Sequence, residues 1–216
     1  MNIRPYLIAF IMIATAPRAL ANCSSIITMK GSAPTVHATT HIRKGAGEYG
    51  APREWAGPGK KHTGVDIVMN QSSADAVSYE VRSVAAGKVA YVRDNGELGN
   101  VVIVDHGDGC YSMYAHLANQ PFTPTKPGGN AFVKLGQAVA AGQKIGYMRN
   151  IIGDTDPSGN AVRVGDPTAR IQTHFSLFTA PAGKTSTSII VGPIMASRDD
   201  YVDPTALLAR LKYRVQ

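Results

Sequence analysis

RIQTHFSLF, residues 170–178, is the stretch on which the reading of this chain turns. Arg170, Gln172, His174 and Ser176 alternate with Ile171, Thr173, Phe175 and Leu177, and a period of two marks a half-buried β-strand. One face of that strand carries Gln172 beside His174. Alone, the segment leaves His174 open between a hydrogen-bonded core histidine and a metal ligand. The rest of the chain has to decide.

The surrounding sequence is strand-rich. With 22 Gly and 13 Pro in 216 residues and few charged side chains, the composition suits a loop-rich β protein rather than a helical bundle or a disordered chain. YEVRSVAAGKVAYV (79–92), NVVIVDHG (100–107), CYSMYAHL (110–117) and GQKIGYM (142–148) each read as strands bounded by turn residues. Asp105-His106-Gly107-Asp108-Gly109 predicts a hairpin between two of them. Val84-Ala85-Ala86-Gly87 is echoed by Val139-Ala140-Ala141-Gly142, a weak internal repeat. Three segments, 119–131, 149–168 and 181–188, read as long loops, the kind that wall or cover sites. Asp203-Pro204 then opens TALLARLKY, with Asp203 as the expected cap and Pro204 as first residue of a short final helix.

The N-terminus reads as an address rather than as structure. Arg4, the apolar run Tyr6–Ala16 and Ala19-Leu20-Ala21 form a signal-peptide pattern over residues 1–21. The run is short for a membrane span, so no stable membrane insertion is expected after cleavage. Residues 22–48 are expected to be an extension, and 49–216 the folded domain. Without Arg4 and Arg18 the formal charge falls from +7 to +5, with 20 basic against 15 acidic residues. A basic exported protein is drawn to anionic surfaces, a bacterial cell wall among them. No basic-aromatic motif argues for nucleic acid. The two cysteines, Cys23 and Cys110, can pair in an oxidising compartment, remain free, or link to another molecule.

KHTGVDIV (61–68) holds the strongest chemistry. Read as a strand, it places His62 and Asp66 on one face, four residues apart. An imidazole and a carboxylate together are either half of a zinc site or an ordinary hydrogen-bonded pair. Among the other histidines, His37 and His41 in the extension read as solvent-exposed, and His106 as a turn residue. His116 follows Tyr114 by two and is expected to share its face.

Taken in order, HTGVDI (62–67), YAHL (114–117) and THFSLF (173–178) resemble the zinc metallopeptidases of the lysostaphin/LytM type, peptidase family M23. Gly87-Lys88-Val89, Leu98-Gly99-Asn100-Val101-Val102-Ile103, Gly142-Gln143-Lys144-Ile145-Gly146 and Val202-Asp203-Pro204 extend the resemblance over roughly residues 49 to 210. It implies a mainly β fold: an antiparallel β-sandwich or sheet with a duplicated motif, long loops and a short C-terminal helix. It also implies His62, Asp66 and His174 as ligands of a Zn²⁺ ion, leaving one tetrahedral position open as catalytic zinc requires. His116 matches one of the family's two non-ligand active-site histidines.

Gln172 stands where the family carries the second catalytic imidazole. Glutamine can donate a hydrogen bond or hold a water, but it carries no proton near neutral pH. Loss of a proton-transferring group costs rates of about 10²–10⁴-fold. The resemblance therefore implies an exported zinc endopeptidase, periplasmic or at the cell wall, that cuts the peptide cross-links or stems of peptidoglycan. The competing expectation is a zinc-binding relative of low activity that binds the wall or regulates another wall hydrolase. A sugar-transport phosphocarrier role for the same fold fits an export signal poorly.

Overall fold

The computed structural model describes residues 23–24, 26, 31–35, 40–54, 57–69, 79–94, 98–118, 132–150, 171–179 and 201–213. The signal-peptide pattern and the loops expected at 119–131 and 181–188 lie outside them, as does 151–168 of the third loop. Ten strands are described: β1 (Thr40–Ile42), β2 (Val65–Met69), β3 (Glu80–Arg82), β4 (Gly87–Asp94), β5 (Asn100–Asp105), β6 (Cys110–Ala118), β7 (Ala138–Val139), β8 (Lys144–Asn150), β9 (Ile171–Thr179) and β10 (Tyr201–Val202). A short helix, α1 (Thr205–Arg210), follows. Every strand pairing is antiparallel, in the order β1-β2-β9-β8-β6-β5-β4-β7, with β10 on β9 and β3 on β8. The mainly β antiparallel fold with a short C-terminal helix is thus the observed one.

The strands form where the alternation predicts them. The 79–92 run is broken at 83–86, because Ser83 leaves the ladder to exchange backbone bonds with Gly142 and Gln143. Those bonds bring the two VAAG segments together. The hairpin through residues 105–109 joins β5 to β6, and the His106 ring donates from Nδ1 to the Ala86 carbonyl (2.8 Å) and meets Ser112 Oγ at Nε2 (2.7 Å). His106 is therefore a turn residue, as expected.

β9 is the centre of the sheet. On one edge it pairs with β2, and on the other with β6 from Cys110 to Ala115 and then with β8. Val65, Phe175, Tyr114 and Val102 stand in one cross-strand row and are all buried in the larger core. In the next row, on the opposite face, Asp66, His174 and Ala115 lie side by side. That face continues into a smaller cluster around Val101, Ile103, Met113 and Phe178. Near-complete burial of both clusters fixes the ladder register, because a one-residue slip would exchange the two faces.

The described part of the 22–48 segment is bound into this architecture. β1 pairs with β2, Ile42 and Ile26 are core residues, and a disulfide joins Cys23 to Cys110 at the start of β6. His41 corrects an expectation: it is 6% exposed, in register with Val68, rather than solvent-exposed. His37 lies outside the described residues. At the other end the helix begins one residue later than expected. Pro204 is the cap, its carbonyl accepting from Leu208, while the Asp203 carboxylate accepts from the Thr205 amide (2.8 Å). Among the described residues, no helix is long and apolar enough to cross a membrane.

Two tests follow from this packing. The disulfide closes a sequence separation of 87 residues, so replacing both cysteines by alanine is expected to lower unfolding free energy by about 2–4 kcal/mol in urea titrations. A Cβ at Gly64 would overlap the Phe175 carbonyl and Ser176 Oγ and stand 2.7 Å from His174 Nε2. Gly64→Ala is expected to cost about 1–3 kcal/mol by displacing β9, visible as a lower thermal midpoint.

Candidate metal centre

Three residues from two distant parts of the chain bring donor atoms to one point. His62 Nε2 lies 2.9 Å from His174 Nδ1 and 3.3 Å from Asp66 Oδ1, and His174 Nδ1 lies 3.1 Å from the same carboxylate oxygen. All three residues are buried, and they are the one group of this kind among the described residues able to hold a metal ion.

Each side chain is aimed by a different device. Asp66 and His174 are directly opposed in the β2–β9 ladder, so the sheet itself sets their separation. His62 is not on a strand, contrary to the reading of 61–68 as one element. β2 starts only at Val65, and His62 is carried by the preceding segment. That segment is clamped by two backbone bonds, Gly50 N–H to the His62 carbonyl and His62 N–H to the Ala51 carbonyl, each 2.8 Å. The His62 ring donates from Nδ1 to the Glu48 carbonyl (2.9 Å), which leaves Nε2 with its lone pair facing inward. His174 meets Ser176 Oγ at Nε2 (2.7 Å), turning Nδ1 toward the cluster.

The electrostatics suit ligation. Burial opposes the Asp66 charge, yet the two neighbouring imidazoles overcome it and hold the carboxyl well below its ordinary pKa. The His174 pKa is pushed down to about 4, first by burial, with the Asp66 hydrogen bond opposing. The centre therefore offers a carboxylate and a neutral imidazole at neutral pH. Arg53, buried at 6% exposure, places Nη2 3.5 Å from Asp66 Oδ2, the oxygen turned away from the imidazoles. Arg53, Ser176 and the Glu48 carbonyl were not found by sequence reasoning. Only Ser176, two residues from His174 on the same strand face, carried a local signal.

His116 reaches this face by a route alternation does not give. Between the pairs Val102–Tyr114 and Asn100–Leu117 the β5–β6 register shifts, leaving one extra residue in β6. His116 has φ 54°, in the left-handed region, at the point where β6 leaves β9 and turns to β8. Tyr114 and Leu117 both pack into the larger core, so the bulge places Ala115 and His116 together on the opposite side. The expectation that Tyr114 and His116 share a face is thus overturned. The His116 and His174 rings meet edge to face with centroids 6.5 Å apart. His116 Nδ1 is buried and has no partner, and the ring is pushed down to about pKa 3, first by burial. Gln172 lies on the His174 face of β9, 6% exposed, with Oε1 buried and unpartnered.

Residues 60–163 match peptidase family M23; this span includes His62, Asp66 and His116 and ends before Gln172 and His174. Among solved structures, the chain is similar to a zinc containing peptidase from Vibrio cholerae (20% identity, 70% of this chain and 37% of that one, TM-score 0.45). It is similar as well to CbpA from L. salivarius REN (21% identity, 77% of this chain and 86% of that one, TM-score 0.48). A third is the catalytic domain of the antimicrobial peptidase lysostaphin from Staphylococcus simulans (23% identity, 76% and 89%, TM-score 0.45). The chain thus spans little more than a third of the Vibrio protein. No curated protein matches it. The span 60–163, with the motifs around His62, Asp66 and His116 inside it, is thus what this chain shares with peptidase family M23.

Proposed function

We propose that this protein is an exported, zinc-dependent endopeptidase that cleaves peptide cross-links or stem peptides of bacterial peptidoglycan. The convergence of His62 Nε2, Asp66 Oδ1 and His174 Nδ1 carries the reading. A tetrahedral zinc with bonds of about 2.0–2.1 Å separates its donors by about 3.3 Å. The present separations of 2.9, 3.1 and 3.3 Å are close to that spacing. Two nitrogens and one carboxylate oxygen also form a donor set that zinc favours. When bound, zinc supplies Lewis acidity that polarises a peptide carbonyl and acidifies water.

The chain's own residues divide the remaining work. The Glu48 carbonyl and Ser176 Oγ hold the two imidazoles in the tautomers that ligation needs. His116, neutral at working pH, presents Nδ1 as the atom that takes up and returns a proton. Gln172 orients a hydrogen-bonding group of the substrate and transfers no proton. The Cys23–Cys110 disulfide supports an oxidising compartment, periplasmic or extracellular, which agrees with the signal pattern at 1–21. Gln172 itself favours the second reading, a zinc-binding regulator of low activity.

Three measurements on residues 22–216 test these readings. Metal analysis of the purified protein is expected to find one zinc per chain, lost in His62→Ala and in His174→Ala. Release of muropeptides from peptidoglycan is expected to stop with a chelator and return with added zinc. Cleavage by the unaltered protein supports the enzyme. No cleavage by the zinc-loaded protein, together with cleavage by Gln172→His, overturns it in favour of the regulator.

A further inference from the structure

The segment that carries His62 brings a second charged side chain to the cluster. Backbone bonds join Gly50 and Ala51 to His62 and Arg53 to Lys60, and Pro52 bridges to Lys61 in antiparallel register. Side chains alternate across such a pairing, so Arg53 falls on the same face as His62, opposite Pro52 and Lys61. The burial agrees: Pro52 and Lys61 are exposed, whereas His62 and Arg53 are buried. One antiparallel pairing thus supplies both a candidate ligand and a guanidinium.

The two oxygens of Asp66 are divided between different partners. Oδ1 faces the imidazoles, 3.3 Å from His62 Nε2 and 3.1 Å from His174 Nδ1, while Oδ2 lies 3.5 Å from Arg53 Nη2. Arg53 Nε is buried without a hydrogen-bond partner. An apolar side chain would fill the same place without leaving a donor unsatisfied, so packing alone does not account for a guanidinium there. A carboxylate with both oxygens free can chelate a cation through the pair, whereas one oxygen held elsewhere leaves a single donor atom. Divalent ions differ in how they respond to that choice. Zinc is satisfied by four donors, and manganese favours a larger, oxygen-rich shell.

We propose that Arg53 is a positioning residue: it occupies Asp66 Oδ2, limits the carboxylate to one ligand oxygen, and so sets the His62–Asp66–His174 cluster to select a four-coordinate ion. The proposal deepens the zinc peptidase reading and rests on it for the presence of a metal. Arg53 acts through Asp66. Its own positive charge weighs alike on any divalent ion, so it cancels from a ratio of two such affinities. The ratio isolates the geometry.

The test compares the unaltered protein with R53M and R53K, each checked for folding by thermal unfolding before metal is added. Zinc and manganese affinities are measured by competition with a chromophoric chelator. The Co²⁺ form is followed by its visible absorption, which is several times stronger for four-coordinate cobalt than at higher coordination numbers. R53M is expected to lower the ratio of zinc to manganese affinity by about 10-fold or more, because Oδ2 becomes a further donor. For the same reason its cobalt absorption is expected to weaken. R53K, which keeps a cation able to approach Oδ2, is expected to lie between. A ratio within twofold of the unaltered protein in R53M, or an unchanged cobalt spectrum, overturns the proposal. Should R53M fail to fold, R53K decides by the same two criteria. An unaltered protein that binds none of the three ions sinks the metal reading and the proposal with it, whereas zinc binding matched by R53M in ratio and spectrum sinks the proposal alone.

Discussion

The site depends on the two-sided pairing of β9. Held by β2 on one edge and β6 on the other, the strand presents Phe175 to the core and His174 to the opposite face. The Val65–Phe175–Tyr114–Val102 row, with no member more than 1% exposed, is what fixes that choice. Slipping β9 by one residue would drive His174 into an apolar layer and push Phe175 into the site, at the cost of both. The His62–Asp66–His174 cluster therefore inherits its precision from packing on the other side of the sheet. Asp66 and His174 meet because their neighbours Val65 and Phe175 are buried together.

The bulge at His116 works against that regularity in one place. A non-glycine residue in the left-handed region costs roughly 1–2 kcal/mol, and His116 is held there by the strand on both sides. Tyr114 is fixed by bonds from the Val84 amide (2.7 Å) and Ser112 Oγ (3.1 Å), and Leu117 by its burial and by pairing with Met148. The Thr173 hydroxyl also donates to the Ala115 carbonyl (2.9 Å), just before the bulge. With both flanks anchored to the core face, the extra residue can only emerge on the other. Strain localised at His116 is offset by the ordered pairing around it.

This explains what the sequence disclosed and what it withheld. Period-two alternation located β5, β6, β8 and β9, and the family resemblance carried by three motifs implied His62, Asp66 and His174, which the structure brings together. Spacing misjudged His62, because β2 begins only at Val65 and His62 is held instead by backbone bonds to Gly50 and Ala51. The face of His116 was unreadable: a bulge inserts one residue relative to a partner strand, and nothing in YAHL marks it. His41 misled for a related reason, since its burial comes from pairing with β2 and not from any local pattern. Arg149 was read as the start of the 149–168 loop, whereas β8 runs on to Asn150 and pairs Arg149 with Gln172, a register that depends on how β8 and β9 meet across a stretch of chain that no local periodicity bridges.

Gln172 becomes intelligible in the company the ladder gives it. An imidazole at that position would face Arg149 across the strands and His174 two residues along its own, with His116 nearby. Burial and like charge, the forces that hold His116 and His174 neutral, would act on it as well. Such an imidazole would serve as a hydrogen-bonding group more readily than as a cation, and glutamine supplies the hydrogen bond without the ionisation. In the proposed reading the work is split between neighbours: proton transfer at His116 Nδ1, and at Gln172 a hydrogen bond offered to the substrate by an atom that has no partner within the chain. Activity then depends on whether a single imidazole can move the proton both ways during turnover, which is a demand on the geometry of His116 rather than on Gln172.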